Sequence, residues 1–398
     1  MFNLFKRLHN KLKKRRRVQL YFLLFFMIIA SFAEVMSIGA VIPFLAVITN
    51  PESIFDYPLI REVIDIDSYL SPKDLILPIT IIFIYLALIA AALRISVLWL
   101  NTRLSFSIGR DLGVEAFTVT LNQPYLVHIS TNSSEVISGI ATKVYATTAT
   151  LNLTLSLITS VFLSTCIITL LLYLEPFIAL LAGLSIGISY FMISYFFRIK
   201  LSKNSKLIDL ETTESLKILQ EGLGGIREVL MNGTQEIYKE TFFQSQLKLR
   251  RAQGNNSFLG GSPRFFMEAI GISLIASLAY FSLSNNTSSI DILPLLGAVA
   301  LGAQKLLPAG QQIFASWAGI TGSKDLFEST LNILDQPFEE SSDEEVQEIK
   351  FNEEIVFDSV CFEYVTGTKI LNNFNLTLKK GERLGIVGET GSGKTTFV

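Results

Sequence analysis

The chain has 398 residues, of which 17% are charged, 50% are hydrophobic and 30 are phenylalanine. Ordinary globular domains carry about 25% charged residues, so this composition argues against a soluble protein and predicts an integral membrane protein. The formal net charge of −2 gives no sign of polyanion binding, and we expect no nucleic-acid partner. Cys166 and Cys361 are far apart, which excludes a disulfide scaffold and argues against a cysteine-based zinc site.

Residues 1–17 form a basic segment with eight lysine and arginine residues and no acidic residue. An apolar run over 18–48 follows, and it exceeds the roughly 7–15 residues of a signal-peptide core. The run predicts a first membrane helix, and the preceding positive charges place the N-terminus in the cytoplasm. The basic segment is expected to set this topology, and it could in addition bind anionic lipid headgroups.

Six segments are apolar over about 20 residues or more, the length that a membrane helix needs. They cover residues 18–48, 75–100, 148–173, 177–197, 264–283 and 290–317. An even number returns the chain to the cytoplasm, and the acidic loop 50–74 fits the outer side. The connections 101–147 and 198–263 are long and carry apolar residues at helical spacing. Such extensions suit a transporter driven by a cytoplasmic motor better than a channel or a secondary carrier.

The character of the chain changes after the sixth segment. An acidic stretch predicts a solvated linker over 331–350. Beyond it, apolar runs predict strands, with a turn at Lys380–Gly381. The predicted strands are Ile355–Phe357, Val360–Tyr364, Asn375–Leu378 and a buried strand at Leu384–Val387.

Residues Gly388 to Thr396 match the pattern G-x-x-x-x-G-K-[ST] of a P-loop. In a P-loop the glycines let backbone N–H groups point at phosphate oxygens. Lys394 adds a positive charge for the β and γ phosphates, and the Thr395 hydroxyl is suited to ligate Mg²⁺. ATP and Mg²⁺ are therefore the expected cofactors. The expected contacts are Gly388, Gly391, Ser392, Gly393, Lys394, Thr395 and Thr396.

The predicted fold class follows from this order of segments. A basic cytoplasmic N-terminus covers 1–17, and an α-helical membrane domain of six long helices covers 18–330. The linker over 331–350 then leads to the N-terminal, β-rich start of a P-loop α/β nucleotide-binding domain over 351–398.

With the P-loop following six apolar segments, the whole chain resembles the N-terminal part of an ABC exporter half-transporter. The resemblance implies that Tyr364, at the end of a strand upstream of the P-loop, stacks on adenine. Gln123–Tyr125 and Gly222–Asn232 resemble the two cytoplasmic turns that family members press onto nucleotide domains. Because each ATP in this family lies between two nucleotide domains, the resemblance implies a second half-transporter as partner, in the simplest case a homodimer.

The chain departs from the family pattern at its end. The family's Q-loop, signature motif, Walker B aspartate, catalytic glutamate and switch histidine would all follow Val398. We therefore expect no catalytic residue within 1–398, no ATPase activity from this stretch alone, and a longer intact protein that hydrolyses ATP.

Some features resemble one branch of the family, the bacterial exporters of glycans and lipid-linked oligosaccharides. They are Ser31–Glu34, Ile42–Phe44, Ser262–Arg264 with Glu268, and Lys305–Pro308. Exporters of peptides, drugs and lipids share the same architecture, so the substrate stays open.

Ionisable residues in apolar segments are costly in hydrocarbon and usually face a partner or a wet cavity. One hypothesis pairs Arg264 with Glu268 one helical turn away and Glu34 with Arg94 across adjacent helices. The other hypothesis makes Arg94, Arg264 and Lys305 a substrate path for an anionic headgroup such as a lipid-linked phosphate.

The leading functional hypothesis is ATP-driven export or flipping of a glycan or lipid-linked saccharide. It places the protein in the plasma (inner) membrane, in contact with membrane lipid, with the N-terminus and the nucleotide-binding domain in the cytoplasm. One alternative is an ABC exporter of a peptide, lipid or drug. Another is a membrane protein that ATP regulates and that does not transport. A soluble P-loop enzyme with an anchor is disfavoured, because one helix would suffice to anchor it.

Overall fold

The computed structural model describes residues 1–49, 76–174, 176–284, 289–336, 351–363, 369–389 and 391–398. The predicted outer loop 50–74, most of the acidic linker, Tyr364 and Thr390 lie outside these described residues. The chain divides into two compact units. The first comprises Met1–Thr120 and Ser133–Gln336, and the second comprises Leu121–Asn132 and Pro337–Val398.

Helices dominate the described residues, and we number them in chain order. They are α1 (Phe2–Lys11), α2 (Lys14–Gly39), α3 (Val41–Thr49), α4 (Ile76–Leu121), α5 (Tyr125–Ser130), α6 (Ser133–Ile137), a π-helical turn (Ser138–Lys143), α7 (Val144–Leu174), α8 (Pro176–Gly224), α9 (Ile226–Met231), α10 (Gln235–Gly261), α11 (Pro263–Ser284), α12 (Ser289–Gly322), α13 (Lys324–Leu334) and α14 (Lys394–Phe397). The strands are β1 (Glu354–Glu363) and β2 (Lys369–Lys379).

The described residues of all six predicted membrane segments are helical, apart from a turn at Ala40 in the first. Four helical stretches of the described chain are long and apolar enough to cross a membrane, namely Lys14–Leu45, Ile76–Leu121, Ser133–Tyr173 and Gly183–Gly224. Helices α11 and α12 contain the fifth and sixth predicted segments, whose crossing stays a prediction. The predicted helical connections are confirmed, because α4 continues to Leu121 and α8 runs for 49 residues to Gly224.

The first predicted segment is broken where the sequence suggested one continuous helix. Helix α2 ends at Gly39, and α3 begins at Val41 after a turn at Ala40. Pro43 explains the break, because proline has no N–H to donate and its ring clashes with the carbonyl four residues earlier.

The N-terminal helix α1 is packed into the first unit. Leu4 and Leu8 of α1, and Leu12 directly after it, are buried in the same hydrophobic cluster as Leu331 and Leu334 of α13. The cluster continues along α2, α4 and α7. The predicted linker therefore starts later than expected, because residues 331–334 are helical and their leucines are buried.

Ion pairs lie around the contact between α1 and α13. Arg7 Nη2 lies 2.6 Å and Lys11 Nζ lies 3.1 Å from the carboxylate of Asp335. Arg16 Nε lies 2.7 Å from the carboxylate of Asp111 in α4. These three cations of the basic segment are therefore engaged by the protein itself, which the sequence did not indicate.

The second unit contains an antiparallel hairpin in which Glu354 pairs with Lys379 and Phe357 with Leu376. The predicted strands at 355–357, at 360–363 and at 375–378 are confirmed, and Gly381 has the positive φ of 86° that its turn requires.

The predicted strand at Leu384–Val387 is wrong, because these residues have no strand assignment in the structure. Ile386 and Val387 are exposed rather than buried. The described sheet pairs β1 only with β2, so residues 384–387 have no neighbouring strand to bond.

Candidate functional site

The P-loop curls at two glycines. Gly391 has a φ of 90° and Gly393 a φ of 87°. Such values cost other residues about 1–2 kcal/mol. A Cβ at Gly393 would also lie 2.8 Å from Cγ2 of Ile370 in β2, so that position has no room for a side chain. The loop therefore folds back against the hairpin and turns directly into α14.

Lys394 closes the loop on itself. Its ammonium donates hydrogen bonds to the carbonyl oxygens of Gly388, at 2.7 Å, and of Glu389, at 2.6 Å. The Ser392 N–H donates to the Glu389 carbonyl at 3.2 Å. The positive charge thus lies inside the curl formed by the loop backbone, where a phosphate group would be cradled.

An aromatic cluster fixes the loop to the hairpin. The ring of Phe397 in α14 lies 5.1 Å from Phe357 of β1 and 4.9 Å from Phe374 of β2, measured between ring centroids. Aromatic pairs at such distances contribute about 0.5–1.5 kcal/mol beyond their buried area. This support was not predicted from the sequence, although phenylalanines at these three positions were a visible signal for it.

The hydroxyl residues of the motif lie at the start of α14. Thr395 is exposed and Thr396 is half-buried. Mg²⁺ in nucleotide sites is held by one or two protein oxygens together with substrate phosphates, so an accessible threonine hydroxyl fits this ion. Tyr364, the predicted adenine contact, lies outside the described residues.

One of the two ion pairs predicted between charged residues of the apolar segments has a different partner in the structure. Lys305 Nζ donates to Glu34 Oε1 at 2.5 Å, so the predicted partner of Glu34, Arg94, is wrong. Arg264 pairs with Glu268 at 2.9 Å, as predicted. Arg94 has no ion pair among the described residues.

A cavity of about 410 Å³ with several polar residues in its wall lies beside Glu34 and Arg94, between α2, α4, α7 and α12. Arg94 and Glu34 line it together with Asn101 and Gln312. Asn101 is 3% exposed, and its Oδ1 has no hydrogen-bond partner in the part of the chain that the structure describes. Arg94 and Glu34, the partner of Lys305, therefore line the same cavity. Arg264 does not line it.

The family assignment rests on a match to most of the chain. Residues 18–300 match the model of the ABC transporter transmembrane region, and residues 371–398 match the ABC transporter model that follows it. The chain belongs to the ABC transporter family. Its membrane helices and its P-loop are therefore parts of one known arrangement, and the protein is a membrane protein.

The curated relatives of this ABC transporter chain are distant. An ATP-dependent lipid A-core flippase of Acinetobacter baylyi is 28% identical over 211 residues, which is 50% of this chain and 35% of that protein. A fatty acid ABC transporter ATP-binding/permease protein of Mycobacterium bovis is 24% identical over 272 residues, or 66% of this chain and 42% of that protein.

A subtilin transport ATP-binding protein of Bacillus subtilis is 25% identical over 232 residues, covering 58% of this chain and 36% of that protein. The chain spans less than half the length of these relatives.

The two turns that were predicted to be cytoplasmic take the form of short helices with exposed apolar side chains. Tyr125 begins α5 and is 72% exposed. Its segment, Leu121–Asn132, is grouped with Pro337–Val398 in the second unit. In the turn Gly222–Asn232, Leu230 and Met231 of α9 are exposed. Apolar residues displayed on short helices are typical of surfaces that another domain covers.

The polar residues in the wall of the Arg94 cavity were not predicted from the sequence. Polar residues that interrupt apolar helices were the available signal in the sequence. They are Asn101, Ser156, Thr159, Ser160 and Gln312. The buried pair in which Lys143 Nζ lies 2.9 Å from the carboxylate of Asp209 was not predicted either. That pair joins the π-helical turn to α8, since Lys143 is its last residue.

Proposed function

We propose that the intact protein uses ATP to export or flip a lipid-type substrate across the membrane. The observation that carries this proposal is a P-loop that follows the transmembrane region of an ABC transporter in one chain. Lys394 and the loop amides would bind the nucleotide phosphates, and Thr395 would help to hold Mg²⁺. When bound, the nucleotide supplies the energy that reshapes the membrane domain.

The expected test of this proposal is Lys394→Ala in the full-length protein in proteoliposomes. The variant removes the charge inside the loop, so ATP hydrolysis and transport should both fall to background. Transport that persists with hydrolysis abolished would contradict an ATP-driven mechanism. Hydrolysis without any transport of amphiphiles would favour the alternative of an ATP-regulated membrane protein.

We further propose an anionic headgroup as the polar part of the substrate. Arg94 supports this, because it lines the cavity beside Glu34 and has no carboxylate partner among the described residues. Lys305 contributes less, since Glu34 already neutralises its charge. A phosphate of a lipid-linked saccharide or a fatty-acid carboxylate would each fit one guanidinium, which binds both groups in bidentate fashion.

The matched pair of variants is Arg94→Gln and Arg264→Gln. The first should reduce transport of an anionic lipid while basal ATP hydrolysis stays near normal. The second should change transport little, because Arg264 is paired with Glu268 away from the cavity. Equal transport by Arg94→Gln and the unchanged protein would exclude Arg94 from the substrate path. Comparing fatty acids with lipid-linked phosphates as substrates separates the two headgroups.

We also propose that two half-transporters form a homodimer in the plasma membrane, with the N-terminus and the P-loop unit in the cytoplasm. A reporter inserted within 50–74 should then be read as external, and one within 200–240 as internal. The opposite reading at either site would overturn the orientation. Cross-linking of differently tagged copies tests the homodimer.

A further inference from the structure

A second cavity in the membrane domain is apolar and separate from the Arg94 cavity. It lies between α7, α8 and α12 and has a volume of about 470 Å³. Leu157 and Ile168 of α7, Phe191 of α8, and Ile313 and Phe314 of α12 form much of its wall. None of the residues that line the Arg94 cavity lines this one.

Glycines keep the cavity open. A Cβ at Gly183 or at Gly187 of α8 would meet nothing within 4 Å, so empty space lies beside both residues. Gly310 of α12 also lines the cavity, and there a Cβ would lie 3.3 Å from the ring of Tyr190. The absence of side chains at Gly183 and Gly187 therefore leaves volume that ordinary helix packing would fill, whereas Gly310 lets the Tyr190 ring approach closely.

The surface that faces the cavity has almost no polar group to offer. Of the three hydroxyl residues in the wall, Ser194 donates its hydroxyl to the carbonyl oxygen of Phe191. The hydroxyl oxygens of Ser164 and Tyr190 are each buried, with less than 1 Å² exposed. Neither oxygen has a hydrogen-bond partner among the described residues. A ligand that needs hydrogen bonds would find few partners here, whereas a hydrocarbon would need none.

The position of the cavity along the helices matches the hydrocarbon layer. Leu157 and Ile168 lie about 9–26 Å before the end of α7, at 1.5 Å per residue. That interval falls within the roughly 30 Å hydrocarbon core of a bilayer. Phe191, which lines the cavity, is 73% exposed, and its helical neighbours Leu184 and Ile188 are exposed as well. The cavity therefore adjoins an exposed apolar face of α8.

We propose that this cavity binds one acyl chain of a bilayer phospholipid. An empty apolar cavity forfeits dispersion contacts along its whole wall. Lipid chains are as apolar as leucine side chains and surround the domain at high concentration, so a chain that enters restores those contacts without any polar cost. This site is independent of the nucleotide and of the substrate headgroup proposed above.

Trp317 provides an intrinsic probe of occupancy, because it lines the cavity with its ring 5.6 Å from Phe314. The full-length protein is reconstituted into phospholipid bilayers with brominated acyl chains, which quench tryptophan at short range. The Trp317 signal is the difference between the protein and its Trp317→Phe variant. We expect bromine on the chains to quench this signal.

Filling the cavity is the decisive test. Gly187→Leu places a side chain in the open space and should remove the quenching of Trp317. Gly39→Leu is the matched control, because its Cβ also meets nothing within 4 Å and it does not line the cavity. If Gly187→Leu does not assemble in the membrane, Gly183→Leu serves the same purpose. Quenching that both filled variants retain would come from surrounding lipid and would overturn the proposal.

Variants that remove the two buried hydroxyl groups test the chemical class of the ligand. Ser164→Ala and Tyr190→Phe should leave the quenching unchanged, since an acyl chain forms no hydrogen bond with them. Loss of quenching in these well-folded variants would show that the ligand binds through a polar group and would overturn an acyl chain. All these measurements are made without ATP, so their failure is distinguishable from failure of the transport proposal.

Discussion

The ammonium of Lys305 in α12 lies 2.5 Å from Oε1 of Glu34 in α2, although 271 residues separate the two in the chain. The side chain of Glu34 is 7% exposed, whereas that of Lys305 is 40% exposed. The two partners therefore differ in burial, because the protein encloses the carboxylate of Glu34 whereas the side chain of Lys305 reaches the protein surface.

This asymmetry predicts that Lys305→Met destabilises the protein more than Glu34→Gln does. The first change leaves a buried carboxylate without its donor, at a cost of about 1–3 kcal/mol. The second leaves a lysine that is less enclosed by the protein than the carboxylate. The measurement is the thermal unfolding midpoint in nanodiscs. The double variant should recover much of the loss, and a double variant as unstable as the sum of both would contradict the pairing.

The P-loop glycines should differ in their tolerance of alanine. Gly391→Ala faces only backbone strain, because a Cβ there meets nothing within 4 Å. Gly393→Ala adds a clash with Ile370 at 2.8 Å to the same strain of about 1–2 kcal/mol. We expect Gly393→Ala to weaken ATP binding more strongly, as measured with a fluorescent nucleotide on the full-length protein. Ile370→Ala should partly restore binding to Gly393→Ala, and no recovery would argue against the clash.

Close packing between α4 and α7 predicts a second glycine contrast. A Cβ at Gly109 would meet the Thr148 hydroxyl and lie 2.7 Å from its methyl carbon, so Gly109→Ala should destabilise by about 1–3 kcal/mol. Gly254 in α10 has nothing within 4 Å, so Gly254→Ala should stabilise its helix by about 0.5–1 kcal/mol. Thermal midpoints of the two variants should therefore shift in opposite directions. A Gly109→Ala variant as stable as the parent would refute the contact.

Asp335 should give the N-terminal helix a measurable pH dependence. Burial alone would raise the pKa of Asp335, but hydrogen bonds from Arg7 and Lys11 outweigh it and hold the pKa below its usual 3.8. Since the folded pKa is lowered, the stabilisation is complete above the unfolded pKa and is lost as the pH falls through the folded value.

The contribution is about 0.2–1 kcal/mol, because the pair is partly exposed to solvent. Asp335→Asn should lower the midpoint at pH 7 and leave it equal to that of the parent at pH values below the folded pKa. The midpoint difference between parent and variant, followed from pH 7 downward, measures this directly. A difference that does not change with pH would show that the ion pairs contribute nothing.

Local patterns in the sequence were sufficient for much of the architecture. Apolar runs of about 20 residues identify helices wherever they occur, because only helices and closed barrels satisfy backbone hydrogen bonds in lipid. The motif from Gly388 to Thr396 likewise predicted phosphate binding, since its glycines and its lysine are close together in the chain. The turn at Gly381 and the strands of the hairpin followed from the same local signals.

Contacts between distant residues were decided only by the tertiary structure. Several cationic residues within apolar segments could have paired with Glu34. Only the packing of α2 against α12 brings Lys305, rather than Arg94, next to it. Leu331 and Leu334 were predicted to lie in a linker. Their burial depends on contact with α1, which comes from the other end of the chain and could not be seen locally. Leu384–Val387 has the composition of a buried strand, yet composition cannot supply the neighbouring strand that would pair with it. Sequence determines which residues are able to make a contact, whereas the geometry of packed helices decides which contact is made.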